Sequence, residues 1–282
     1  MAKVAFLGTG LLGSAMAEGM LRRGDSVTVW NRTADKARAL EKFGAAVAAT
    51  PAAAVAGVDR VHMTLSDDAA VERVMSEFLP ALPPRTVVID HTTTSPGGTV
   101  ERYRTLQGNG VRFLHAPVFM SPQFARESAG LILCSGPAAL FEEVKAVLQQ
   151  MTGEAWYLGD DPRRAAAYKL FGNSMIFVIT AGISDIFSMA KSLGIAAPDA
   201  LQVFSKFQAG GVIKGRGEKM ARGDFSASFE LAMARKDMRL MMEAIDGQPA
   251  IVLPVIAQVM DAAIAAGHGN QDLGVIAAEV IR

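Results

Sequence analysis

The stretch FLGTGLLGSAMAEGM, residues 6–20, places Gly8, Gly10 and Gly13 at G-x-G-x-x-G spacing between a strand-like apolar run and a helix-like run. That arrangement leaves few folds open. Gly8 permits a tight turn out of a strand, Gly10 leaves the backbone bare, and Gly13 lets the helix pack close to the strand. The free N–H groups at the helix start, around Leu11 and Leu12, then face a ligand at the positive end of the helix dipole. A purely structural turn is the alternative reading. The strand before it and the helix after it favour a bound nucleotide.

The pattern continues for about 160 residues. Apolar runs predict strands over 4–8, 26–30, 45–48, 60–65, 86–90, 111–115, 131–135 and 155–158. Helical periods predict helices over 11–23, 33–43, 51–56, 68–79, 96–107 and 138–151. Strands alternating with helices mean βαβ units and a doubly wound parallel sheet, an α/β domain of Rossmann type over 1–162. From Arg163 onward there are helical periods and no convincing strand. A helix over 163–193 stops at Gly194 with Pro198 beyond, and further helices are expected over 199–220, 228–246 and 249–267. The reading is an all-α domain over 163–282, joined to the first by that long helix. Its apolar stretch 170–195 is interrupted by Asn173, Asp185 and Lys191, which favours a buried soluble helix over a membrane span. The Met and Phe residues between Phe171 and Met189 read as core.

Composition narrows the function classes. Lys plus Arg and Asp plus Glu number 28 each, so the basic excess of a nucleic-acid binder is missing. A lone cysteine, Cys134, excludes an internal disulfide and a cysteine metal site, and fits a cytoplasmic protein. His62, His91 and His268 show no metal-ligand spacing, so no metal is expected. The first residues run straight into a strand pattern, so no leader is expected.

The second strand ends Trp30-Asn31-Arg32-Thr33, with no carboxylate to hold a ribose 2′-hydroxyl. Arg32 can fork onto a 2′-phosphate, with Asn31 and Thr33 adding hydrogen bonds. This favours NADP over NAD. Alternatively Arg32 is a solvated charge and Thr33 caps the next helix.

Together the glycine turn, the helical second half and Tyr168-Lys169-Leu170-Phe171-Gly172-Asn173 resemble the β-hydroxyacid dehydrogenase family. Its members include 3-hydroxyisobutyrate, tartronate semialdehyde and 6-phosphogluconate dehydrogenases. The resemblance extends to Asp90-His91-Thr92-Thr93-Thr94-Ser95-Pro96, to Ala116-Pro117-Val118, to Phe229 through Lys236-Asp237, and to the tail 265–272. It implies that Lys169 is the acid/base, with Asn173 one turn on holding the substrate oxygen. Taken on its own, Lys169 also fits a lysine reaching from an apolar helix to solvent. The resemblance further implies cofactor contacts from Thr64, Leu65, Ser66, Thr93 and Lys236, and a homodimer or homotetramer. Thr92–Thr94 could instead cap the helix at Pro96.

One segment departs from the family. Its substrate loop reads D-A-P-V-S-G-G-x-x-G-A, whereas residues 115–125 read HAPVFMSPQFA. Phe119, Met120 and Ser121 stand where the family has serine and two glycines, and Phe124 stands for a third glycine. The small-residue anion cradle is lost. Ser121 and Gln123 are the polar groups left to orient a substrate, and a larger, less polar carbonyl is expected. His115 is either a pocket residue or a satisfied strand-end histidine. The leading reading is an NADP-dependent 3-hydroxyacid dehydrogenase or semialdehyde reductase. The alternatives are an imine reductase, which W-N-R-T also resembles, and a non-catalytic NADP-binding sensor.

Overall fold

The computed structural model describes residues 2–281, and the chain divides into two compact units, Met1–Asn173 and Ser174–Arg282. In the first unit six parallel strands form one sheet: β1 (Lys3–Leu7), β2 (Ser26–Trp30), β3 (Ala46–Val47), β4 (Arg60–Met63), β5 (Val87–Asp90) and β6 (Arg112–His115). Their order is β3-β2-β1-β4-β5-β6. β1 and β5 are almost wholly buried, as strands covered on both faces must be. The helices between them are α1 (Leu11–Arg22), α2 (Ala34–Arg38), α3 (Pro51–Ala54), α4 (Asp68–Phe78) and α5 (Pro96–Gly108). Each sheet face has its own core. Phe6 packs with Ala15, Met16 and Met20 of α1 on one face, and Leu7 packs with Val71, Val74 and Phe78 of α4 on the other. Burying a side chain such as Phe78 contributes roughly 2–3 kcal/mol. Polar side chains set the helix starts: Thr50, Asp67 and Ser95 each accept the backbone N–H three residues on.

After β6 the chain forms a second, three-stranded sheet. It contains β7 (Val118–Phe119), β8 (Gly130–Cys134) and β9 (Gly153–Tyr157), with α6 (Pro122–Arg126) and α7 (Ala138–Thr152) between them. β7 runs antiparallel to β8 and β8 parallel to β9. The strands expected over 131–135 and 155–158 therefore exist, but they do not extend the large sheet. β7 and α6 have no counterpart in the sequence pattern, since a two-residue strand and a five-residue helix are too short to show a period. The helix expected over 33–43 is also broken. α2 stops at Arg38 and a 3₁₀ turn, Glu41–Phe43, closes at Gly44 with φ +95°.

The long helix α8 (Arg163–Ser192) starts in the first unit and continues into the second. The second unit adds α9 (Ala197–Ala200), α10 (Gly211–Ala221), α11 (Leu231–Ile245) and α12 (Leu253–Ala263). The helix expected over 199–220 is interrupted: a 3₁₀ turn, Leu201–Ser205, and the non-helical residues 206–210 separate α9 from α10, which starts at Gly211. Around Leu231, Met238 and Met260 the unit has a small core of its own. Asp185 of α8, 1% exposed, organises it. Its carboxylate accepts the Ile251, Val252 and Leu253 N–H groups at 2.6, 2.8 and 2.9 Å, capping α12. One expectation fails here. Phe171, Met175 and Phe177, read as core, are exposed. Helical spacing reveals an apolar face, not what covers it.

Candidate functional site

The sheet register brings the candidate residues to one edge. Leu7 lies opposite Trp30 and Met63, Met63 opposite Asp90, and Asp90 opposite His115. The next residues, Gly8, Asn31, Thr64, His91 and Ala116, therefore leave the sheet side by side at its carboxyl edge. In open α/β sheets ligands bind there, where the strand order reverses.

The three glycines have different jobs. Gly8 has φ +96°, and a Cβ there would lie 2.2 Å from the Thr64 carbonyl oxygen. A Cβ at Gly13 would lie 2.0 Å from the Gly8 carbonyl oxygen. The turn itself requires both. A Cβ at Gly10 would meet no atom within 4 Å. Its bareness serves no internal contact and leaves open space above the start of α1, which has no side-chain cap. Asn31 ties this turn to the end of β2: its Oδ1 accepts the Thr9 N–H at 3.0 Å and its Nδ2 donates to the Thr33 carbonyl at 3.0 Å. The Thr33 hydroxyl does not cap α2.

A groove of about 360 Å³ opens here, lined by Gly8, Gly10, Leu11, Leu12, Gly13, Asn31, Arg32, Thr33, Thr64, Leu65 and Ser66. Lys36 and Arg73 line it as well, and among the described residues no carboxylate does. The sequence reading missed both cations. Lys36 is four residues beyond Arg32, in the first turn of α2, and was legible; Arg73 reaches the groove only because β4 and α4 place it there. Bare backbone at Gly10, an uncapped helix start and three cations fit a dinucleotide carrying several phosphates.

A second cavity, of about 250 Å³, shares Leu12, Thr64, Leu65 and Ser66 with the groove and adds His91, Thr92, Thr93, Val118, Met120 and Lys169. Thr92 is structural: its hydroxyl accepts the Leu65 N–H at 3.0 Å. Ser95, and not Thr92–Thr94, caps α5, which leaves Thr93 exposed in the lining. Lys169 is half-buried, and burial lowers its ammonium pKa from the usual lysine value. Its Nζ stands 4.0 Å from the centre of the Phe119 ring, and among the described residues no carboxylate pairs with it.

His91, although it lines the cavity, is already committed. The Ala116 carbonyl only accepts, so His91 Nδ1 carries a proton and donates at 2.7 Å. Its Nε2 must then accept from His62 Nδ1, 2.9 Å away. Burial pushes His91 down to about 4 and His62 well below its ordinary value, so the pair is neutral. Behind it, Asp90 lies 3.8 Å from His115 and 3.6 Å from Arg102, all buried. Burial alone would raise Asp90; His115, Thr92 and Arg102 hold it below the usual carboxylate range. His115 thus belongs to this buried cluster and not to the cavity lining.

Other candidates lie elsewhere. Ser121 caps α6 by accepting the Phe124 N–H at 3.2 Å, and Gln123 donates to Glu127 at 3.0 Å. Neither lines the cavity beside Lys169, so the polar groups expected to orient substrate are turned to local structure. Asn173 follows Lys169 by one turn of α8, outside that lining. Lys236 is in the second unit, on α11, with Asp237 2.7 Å from its ammonium.

Comparison with known proteins bears on the family and the fold. Residues 3–159 match the family model for the NAD binding domain of 6-phosphogluconate dehydrogenase. Residues 164–279 match that for the NAD-binding domain of NADP-dependent 3-hydroxyisobutyrate dehydrogenase. The chain is 29% identical to glyoxylate/succinic semialdehyde reductase 1 of Arabidopsis thaliana, over 97% of this chain and 96% of that one. It is 27% identical to the human cytokine-like nuclear factor N-PAC over 97% of its own length, but spans only 50% of that protein. Among solved structures, a reductive aminase from Aspergillus terreus in complex with NADPH and ethyl levulinate superposes with TM-score 0.89 at 26% identity, covering both chains fully (100%). The imine reductase of Myxococcus stipitatus in complex with NADP⁺ shares the fold, with TM-score 0.90, 21% identity and 99% of each chain covered. The chain belongs to the β-hydroxyacid dehydrogenase family of NAD(P)-binding oxidoreductases.

Proposed function

We propose that this chain is an NADP-dependent reductase or dehydrogenase that interconverts a carbonyl and an alcohol, with Lys169 as acid and base. One observation carries the reading. The cavity holding the half-buried, carboxylate-free Lys169 shares a wall, Leu12 and Thr64 to Ser66, with the groove suited to a dinucleotide. Gly10 and the start of α1 would hold the pyrophosphate, and Arg32 with Lys36 and Arg73 the 2′-phosphate. When bound there, the nicotinamide supplies or takes up the hydride. During reduction, negative charge grows on the substrate oxygen; the Lys169 ammonium stabilises it and donates the proton. During oxidation, neutral Lys169 takes the hydroxyl proton, which its lowered pKa favours. On the family's pattern Asn173, one turn further along α8, adds a hydrogen bond to the substrate. Thr93 is a further cofactor contact on the family's pattern.

A second reading, imine reduction, is favoured by the 26% identity with the Aspergillus reductive aminase over the whole chain. One experiment separates the two. NADPH consumption is followed with semialdehydes, apolar ketones and cyclic imines, using wild type and Lys169→Ala. Carbonyl turnover lost in the variant supports the proposal, and imine turnover that survives moves the acid elsewhere. Tight NADPH binding with no turnover of any compound would favour the non-catalytic sensor. We also propose a homo-oligomer. Ile176, Phe177, Val178 and Ile179 of α8 are each more than half exposed, and such a run is ordinarily covered. Light scattering on the purified protein tests this.

A further inference from the structure

In the loop where this chain departs most from its family, a bulky ring and a glycine meet. A Cβ at Gly172 would lie 2.3 Å from Phe119 Cζ and 2.7 Å from its Cε1. Gly172 lies three residues beyond Lys169 on α8, so it shares that helix face. The ring is thus wedged where only a glycine leaves room, and it presents a face to the Lys169 ammonium at 4.0 Å. Below it the start of the loop is held through both polar groups of the Ala116 backbone. The Ala116 N–H donates to the Asp90 carbonyl at 2.7 Å, and the Ala116 carbonyl accepts from His91 at 2.7 Å. Across the sheet, a Cβ at Gly130 would come within 2.8 Å of Met120 Cβ and 2.9 Å of the Phe119 carbonyl oxygen. Two glycines therefore accommodate the two large residues of this loop, and the ring has little freedom to move away.

We infer that Phe119, seated against Gly172, is a positioning and specificity-determining residue. It holds the Lys169 ammonium over its ring and denies a substrate carboxylate the place beside that charge. This rests on Lys169 being the acid/base. An aromatic face is electronegative, so it attracts the cation and repels an anion. Among the described residues no other cation lines the cavity to attract a carboxylate: its remaining members are apolar, hydroxyl-bearing or the neutral His91. An uncharged carbonyl needs only one donor, which Lys169 supplies. The ring also opposes the burial that lowers Lys169. On its own helix the nearest titratable groups are Tyr168 and Arg164, the latter stacked on Tyr168. Just after β5 the facing group is His91, and Leu12, Thr64 to Ser66, Val118 and Met120 carry none.

The test has three arms. Acylation of Lys169, read by peptide mass spectrometry across pH, reports its pKa without reference to activity. Replacing Phe119 by pentafluorophenylalanine keeps the shape and reverses the ring's polarity, so the profile should move about one unit lower. Phe119→Ser should raise the kcat/KM ratio for a semialdehyde carboxylate over its methyl ester about tenfold. Gly172→Ala should lower kcat in wild type and do much less in the Phe119→Ser background. An unchanged acylation profile, or an unchanged ratio, overturns the inference. Loss of activity in Lys169→Ala is a separate result that tests only the acid/base reading.

Discussion

Gly10→Ala separates folding from ligand binding more cleanly than any other single change. Gly10 has φ −69° and ψ −167°, a conformation that alanine adopts freely. At a helix N-cap, alanine is worse than glycine by about 0.5–1 kcal/mol. Removing glycine's freedom from the unfolded chain returns about 0.4–1 kcal/mol. The new methyl meets nothing within 4 Å. The net change in stability is within about 0.5 kcal/mol, which shifts Tm by no more than about 2 °C for a unit of this size. The methyl does enter the open space that the groove keeps at Gly10. A phosphate pushed back by it should bind at least about tenfold more weakly, a loss of about 1.4 kcal/mol. Gly13→Ala is the contrast: its Cβ would lie 2.0 Å from the Gly8 carbonyl, so the turn must move. That should cost about 3 kcal/mol and lower Tm by roughly 6–12 °C. Thermal unfolding of the free protein and calorimetric titration with NADPH measure both quantities. A Gly10→Ala protein that bound NADPH with wild-type affinity would refute the assignment of the groove.

Arg32→Ala should weaken NADPH binding by about ten- to a hundredfold and leave NADH within about twofold, since only the former carries the 2′-phosphate; parallel titrations with both give the ratio. Asp185→Ala removes the acceptor of three N–H groups and should destabilise the second unit by about 2–4 kcal/mol, read from urea midpoints. Burial raises the Asp185 pKa but its three N–H bonds bring it below the ordinary value, so its contribution is complete above about pH 4 and is lost as pH falls through the lower folded value. The buried His91 titrates at about 4 instead of 6.5. Its contribution is therefore present above pH 6.5 and declines as pH drops to about 4, at roughly 1.4 kcal/mol per pH unit. His91→Asn should flatten that part of the stability profile, and an unchanged slope would show that the histidines are not neutral in the fold.

Local pattern alone determined much of this protein. The strand, three glycines and helix at 6–20, the period change near Arg163, the missing carboxylate after β2 and the Lys169–Asn173 spacing are all short-range features. They depend on backbone sterics and helical period, which act within a few residues. Tertiary structure decided the rest. It moved β8 and β9 into a separate sheet, since pairing depends on where β7 turns back. Arg73 reached the groove through the placement of α4. Ser121 was drawn to a helix cap, because a hydroxyl serves whichever N–H group the fold presents. Phe119 met Gly172 across a gap of 53 positions that no period encodes. Partners distant in sequence are chosen by the register of the sheet and the packing of helices on it, and side-chain chemistry at this site follows from those choices.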